Sequence, residues 1–266
     1  MKKAISSTLL VSFSMAAGLA MAQSATDDIA KYREMIADGN PAELYEAAGE
    51  DIWAKPMGPK NASLQKCDLG MGPGVIKGAS AQLPRYFKDT NKVQDLESRI
   101  ITCMERLQGY DPKEIINAGF ERGKRKDVEA IVAYVVTASK GMKINVPVKH
   151  PKEKEMYAMG EKAFFFQAGP MDFACASCHA EDGKRIRLQD LPNITEQKGA
   201  ALGYGSWPAY RVSSGNFWTM QRRLNDCYRQ QRFPEPIYTS DVTIALSVFM
   251  GAKAKDGVIN TPGLKR

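Results

Sequence analysis

Cys175-Ala176-Ser177-Cys178-His179 restricts the folding of this chain more than any other run in it. Two thiols three positions apart on one turn can each add to a vinyl group of a porphyrin. The adjoining imidazole then points at the iron from the same side. This spacing is the attachment signature of c-type haem. A redox-active Cys-x-x-Cys belongs in a βαβ setting, which the pattern around it lacks. A zinc site needs further ligands, and the chain holds only two His and five Cys. One covalently attached haem c is therefore expected, bound through Cys175 and Cys178, with His179 as an axial ligand.

The N-terminus has the form of an export signal. Lys2 and Lys3 precede an apolar stretch from Ala4 to about Ala20, which closes on Ala20-Met21-Ala22 before Gln23. Residues 1–22 are read as a cleaved signal peptide directing the chain to the periplasm. No later stretch approaches ~18 uninterrupted apolar residues, so no membrane span is expected. The formal charge of +7 falls to about +5 without the signal. That mild excess can steer acidic partners or small anions. Lys and Arg are scattered among acids, so nucleic acid is not an expected partner; the basic cluster Arg122 to Lys126 reads as a solvated helix face or loop.

Apolar spacing is helical nearly everywhere, which predicts an all-α fold. Asp127 to Ser139 and Asp241 to Ala252 share one plan, an acidic N-cap followed by an apolar helix. Leu83 to Met104 also aligns without a gap on Trp207 to Tyr228, with Pro84/Pro208, Tyr86/Tyr210, Arg99/Arg223 and Cys103/Cys227 in register. An internal duplication is expected. The expected division is a haemless domain over 23–146, a Pro-rich linker over 147–152, and a haem-binding domain over 153–266. The first half has a lone Cys67 where the second has Cys-x-x-Cys-His.

Haem takes two cysteines and leaves three. In an oxidising compartment Cys67 and Cys103 are natural disulfide partners, closing a loop for about 3–4 kcal/mol in the chain-entropy model. Cys227 is then the odd thiol, with three readings: inert and buried, joined to another chain, or an iron ligand and reactive sulfur. Arg223 stands one turn before it on the same helix face. A guanidinium there lowers a thiol pKa and makes a fork for an oxyanion. Arg222 reads as a solvated face. For the second axial position Met220, Met250, Met171 and His150 compete with Cys227; Met is usual in electron-transfer haem proteins.

The combination of Cys-x-x-Cys-His, the later Arg222-Arg223-Leu224-Asn225-Asp226-Cys227 run, Trp207-Pro208-Ala209-Tyr210-Arg211 upstream, and a pseudo-repeat carrying a lone Cys pair resembles the SoxA family. These are the catalytic cytochrome subunits of SoxAX complexes in bacterial sulfur oxidation. The resemblance spans the mature chain, including Gly141 to Val146 and Glu161 to Gly169. It implies two cytochrome c-like domains, of which only the C-terminal one binds haem, since Cys67 is followed by Asp-Leu-Gly-Met. It implies His179 and Cys227 as axial ligands, a persulfide on Cys227 as the catalytic sulfur, and Arg223 as a substrate-binding residue. The implied activity is oxidative conjugation of thiosulfate to a cysteine of the carrier SoxYZ, an L-cysteine S-thiosulfotransferase reaction, with the small cytochrome SoxX as partner. The rival expectation is a periplasmic electron-transfer cytochrome c with a Met distal ligand. Gly203 to Trp207 is expected to form a loop near the distal side.

Overall fold

The computed structural model describes residues 39–186 and 189–266, so the signal expected over 1–22 lies outside the described residues. No helix among the described residues is long and apolar enough to cross a membrane. The first half begins with α1 (Ala42–Ala54), whose Ala, Glu and Leu content favours helix and which buries Ala42, Gly49 and Trp53. A loop carrying Cys67 leads to a hairpin of β1 (Arg85–Phe87) and β2 (Lys92–Gln94). The helix α2 (Leu96–Cys103) follows, capped by Asp95, whose carboxylate accepts from Ser98 N at 2.9 Å. It runs on through a π-helical turn to Gly109, which ends it in the left-handed region that glycine adopts freely. Then come α3 (Pro112–Asn117) and α4 (Gly123–Thr137).

The second half opens with α5 (Pro151–Phe165). It starts at the end of the Pro147 to Pro151 stretch, capped by His150, whose ring stacks 3.7 Å from that of Tyr86. The short α6 (Cys175–His179), a two-residue hairpin of β3 (Arg185–Ile186) with β4 (Gln189–Asp190), and α7 (Gln197–Tyr204) come next. A second hairpin, β5 (Ala209–Arg211) with β6 (Asn216–Trp218), leads into α8 (Met220–Gln230). The chain continues through α9 (Asp241–Lys253) to β7 (Gly263–Lys265), which pairs parallel to β5.

The fold is mostly helical rather than purely so. Strands of two or three residues are too short to print an alternating pattern, which is why periodicity missed them. Two other expectations change. The helix containing Asp127 starts at Gly123, and Asp127 pairs with Lys124 at 2.7 Å inside its first turns instead of capping it. Likewise Ser240, not Asp241, is the N-cap residue of α9. Arg125 is buried: its guanidinium lies 4.0 Å from the Tyr238 ring and 4.8 Å from that of Phe120, and it donates to the carbonyls of Ile115 and Ile116. A flat guanidinium between aromatic faces with carbonyl acceptors is well accommodated away from water.

The gapless alignment persists in three dimensions. β1, β2 and the start of α2 correspond residue for residue to β5, β6 and the start of α8, and Thr219 caps α8 where Asp95 caps α2. Each half also contains a close helix crossing built on glycine. A Cβ on Gly49 of α1 would lie 2.1 Å from the Ala130 carbonyl oxygen of α4. One on Gly160 of α5 would lie 2.0 Å from that of Ala245 on α9.

Two main hydrophobic cores form, one drawn mostly from each half, and each borrows from the other: Phe217 and Tyr238 enter the first, Ala81 the second. Buried polar bonds join the two helix starts. Gln221 N and Nε2 donate to Glu97 at 3.2 Å and Asp95 at 2.6 Å, and the Tyr238 hydroxyl donates to Glu97 at 2.8 Å. Burial, reinforced by Asp95, pushes the Glu97 carboxyl up to about 8.

Candidate functional site

The attachment run forms a single helical turn. α6 begins after Ala174, whose N–H donates to Ser177 Oγ at 3.0 Å, and places Cys175 and Cys178 three residues apart, both as free thiols. His179 Nδ1 lies 2.9 Å from the Pro192 carbonyl oxygen. A carbonyl only accepts, so Nδ1 carries the proton and Nε2 keeps its lone pair for a metal. Burial lowers the His179 pKa, which favours the neutral, ligating form. Phe165, Phe166, Met171 and Phe173, just before this turn, leave large apolar surface exposed, while Cys175, Ala176 and Ala180 pack on the second core. Paired thiols, an oriented imidazole and an uncovered apolar wall fit a covalently attached haem c.

Cys227 and Arg223 lie on α8, one turn apart, below the Thr219 cap. Cys227 lies near enough to the attachment turn to raise the Cys175 pKa, though less than burial does. Arg223 lowers the Cys227 pKa as expected, but burial acts more strongly in the opposite direction and the net shift is upward. The expectation of a depressed thiol pKa is corrected accordingly: a guanidinium one turn away does not outweigh loss of water around the sulfur.

Arg223 is open to a ligand in a way its counterpart Arg99 is not. In the first half Arg99 donates from Nε to the Asp68 carbonyl at 2.6 Å and from one terminal nitrogen to both Asp89 oxygens at 2.9 and 3.0 Å. Among the described residues the Arg223 guanidinium makes a single hydrogen bond, to Asp226 Oδ2 at 3.2 Å, beneath the Trp207 ring at 5.5 Å. Arg222 is not a solvated face. It pairs with Glu121 at 2.6 Å and lies over Trp218 and Phe120, bridging the two halves.

Cys67 and Cys103 are joined in a disulfide across 36 positions, buried in the first core. Of the rival axial candidates, Met220 and Met250 pack partly buried against the second core, Met171 is exposed, and His150 caps α5. Gly203 and Tyr204 belong to the end of α7 rather than to a loop, and the Tyr204 hydroxyl donates to the Leu83 carbonyl at 2.8 Å.

Two residues beside the site escaped notice as functional groups. Asp226, buried next to Cys227, takes Arg223, Arg229 at 2.6 Å and Gln230 at 2.6 Å, with Arg211 at 3.9 Å. Its helical spacing from Arg223 and Arg229 was visible. Arg211 lies 4.4 Å over the Trp218 ring, and only its offset from Phe87 in the repeat marked it.

Comparison with known proteins places these features in context. The family model for the SoxA/TsdA cytochrome c domain matches residues 48–144, the half without Cys-x-x-Cys-His. The chain is 56% identical over 273 aligned residues to the L-cysteine S-thiosulfotransferase subunit SoxA of Hydrogenophilus thermoluteolus, covering all of both chains. It is 38% identical to a protein of the same description from Hydrogenobacter thermophilus, covering 93% of this chain and 92% of the relative. A chain in the crystal structure of SoxXA from P. pantotrophus superposes with a TM-score of 0.70 at 22% identity, covering 85% of this chain and 79% of that one. That likeness supports the cytochrome c fold.

Proposed function

The chain belongs to the SoxA family, and from that premise we propose that its second half is the site at which thiosulfate is conjugated to a carrier cysteine. It is a haem c-containing L-cysteine S-thiosulfotransferase subunit. The observation that carries the site assignment is the contrast between Arg99, closed by Asp89 and Asp68, and Arg223, which holds one bond among the described residues and stands a turn from Cys227.

We read the chain as two cytochrome c-like halves related by duplication, with one haem, in the second. The repeated hairpin and helix, and the glycine crossing in each half, support this. In the first half the Cys67–Cys103 disulfide stands where the second half sets its attachment thiols against Cys227. Cys175 and Cys178 would hold the haem by thioether bonds, and His179 Nε2 and the Cys227 sulfur would hold its iron. When bound, the haem supplies a route by which electrons leave the site.

Joining thiosulfate to a carrier thiol forms one sulfur–sulfur bond and releases the thiol proton and two electrons. Cys227, as a persulfide, would present the sulfur to which the outer sulfur of thiosulfate joins; attack by the carrier thiolate then transfers the thiosulfonate unit. Arg223 would hold the sulfonate end through its Nε and free terminal nitrogen, keeping the outer sulfur turned toward Cys227. SoxX is the proposed partner subunit and electron acceptor, SoxYZ the carrier, and the N-terminal signal pattern supports a periplasmic location.

The test is Cys227→Ala in the haem-loaded complex, supplied with thiosulfate and SoxYZ. Turnover is expected to vanish while covalent haem absorbance is retained. Near-normal activity defeats the assignment. Peptide mass mapping of the unaltered protein should find one extra sulfur on Cys227.

A further inference from the structure

Because the two hairpin–helix units share one register, their differences can be read position by position. Three differences surround the arginine. Phe87, whose ring lies 4.0 Å under Arg99, corresponds to Arg211. Asp89, which neutralises Arg99, corresponds to Ser213. Thr102, which donates to the Ser98 carbonyl, corresponds to Asp226. The haem-motif half has thus exchanged an aromatic for a guanidinium and a carboxylate for a hydroxyl, and it has moved its one acid to the far side of the arginine.

The consequence is a pair of guanidiniums on one carboxylate oxygen. Arg223 reaches Asp226 Oδ2 at 3.2 Å and Arg211 reaches the same atom at 3.9 Å. Arg211 also lies over the Trp218 ring at 4.4 Å, donates from Nε to an oxygen of the terminal Arg266 carboxylate at 3.1 Å, and meets Ser213 Oγ at 3.5 Å. Ser213 offers a hydroxyl where Asp89 offers a carboxylate to Arg99. Two cations at this separation repel unless an anion lies between them, and Asp226 supplies that anion from within α8. Arg229, the third cation on Asp226, is mostly exposed and its charge is screened by water.

We propose that Arg211 is a second anion-binding residue of this site, and that Asp226 is the positioning residue that holds its guanidinium beside that of Arg223. The proposal rests on the sulfonate-binding role given to Arg223 above. A sulfonate has three oxygens; one guanidinium fork engages two and leaves the third for another donor. A dianion entering a half-buried site also needs more than one opposing charge to offset lost hydration. The pair therefore selects substrates with a terminal oxyanion group over bare sulfur species such as sulfide.

The deciding experiment is calorimetric titration of thiosulfate into the haem-loaded complex without carrier. Arg211→Ala is expected to weaken binding at least tenfold. Arg211→Lys should fall between that and the unaltered protein, because it keeps the charge and loses the fork; it also keeps the test open should the alanine variant fail to accumulate. Asp226→Asn adds net positive charge, so a purely electrostatic role would tighten binding, whereas loss of positioning weakens it. Unchanged affinity in both Arg211 variants, tighter binding in Asp226→Asn, or no binding by the unaltered protein overturns the proposal. Normal binding that responds to Arg211, accompanied by no turnover with SoxYZ, sinks the transferase reading alone.

Discussion

Breaking the Cys67–Cys103 bond should cost about as much as truncating a large buried side chain of the first half. The bond closes a loop across 36 positions. In the chain-entropy model a loop of that length withdraws about 3.8 kcal/mol of conformational freedom from the unfolded chain at 25 °C. Both sulfurs are almost wholly buried, so a Cys67→Ala/Cys103→Ala variant would add a packing loss of about 1 kcal/mol per site. The cleaner comparison is the unaltered protein unfolded in denaturant with and without reductant, since both forms keep their sulfurs. Far-ultraviolet circular dichroism and haem absorbance should give coincident transitions in each case, which licenses a free-energy difference. The expected difference is about 4 kcal/mol, with the double alanine variant lying below the reduced protein. A reduced protein within about 1 kcal/mol of the oxidised one would refute the reasoning that this loop restrains the unfolded chain.

Gly160→Ala and Gly49→Ala should each force their helix pair apart, for a loss of about 2 kcal/mol or more, read from the thermal midpoint; an unchanged midpoint would contradict the backbone approach described. Glu97, raised from the ordinary 4.5 to about 8, binds its proton more tightly in the folded state than in the unfolded one. Its contribution is whole at acid pH, declines as pH rises past the ordinary carboxylate value, and is gone above about 8. Unfolding free energy measured across that window should fall with pH, and Glu97→Gln should flatten the slope. A slope unaltered by the substitution would assign the pH dependence elsewhere.

The placing of Cys175 to His179 on one helical turn, and of Arg223 one turn from Cys227, was legible because both are local patterns: a motif of five residues and a helical spacing of four. The matching hairpin–helix segments were legible too, from four residues in register. Their meaning was not, because the information lies in substitutions between the halves, and Phe87 against Arg211 acquires sense only once both are seen beside the same arginine. The strands escaped for want of length. Arg125 and Arg222 were misread for a common reason. A charged residue counts as solvated in a one-dimensional pattern, and nothing local announces that a ring distant in sequence, Tyr238 for Arg125 and Phe120 for Arg222, will help to enclose it. The same limit applied to Cys227, where the neighbouring cation was visible and the dry surroundings were not.

The bonds from Gln221 to Glu97 and Asp95 set the start of α8 firmly on the first half. A helix anchored at its first turn cannot swing its second turn outward, so the Cys227 sulfur has a fixed address. On the role proposed for Cys227, the movement needed for transfer falls to the visitor. An acceptor cysteine set flush in a rigid globular face would meet a half-buried thiol of this kind poorly. One borne on a slender, extended end of chain could enter, react and withdraw while the site stood still.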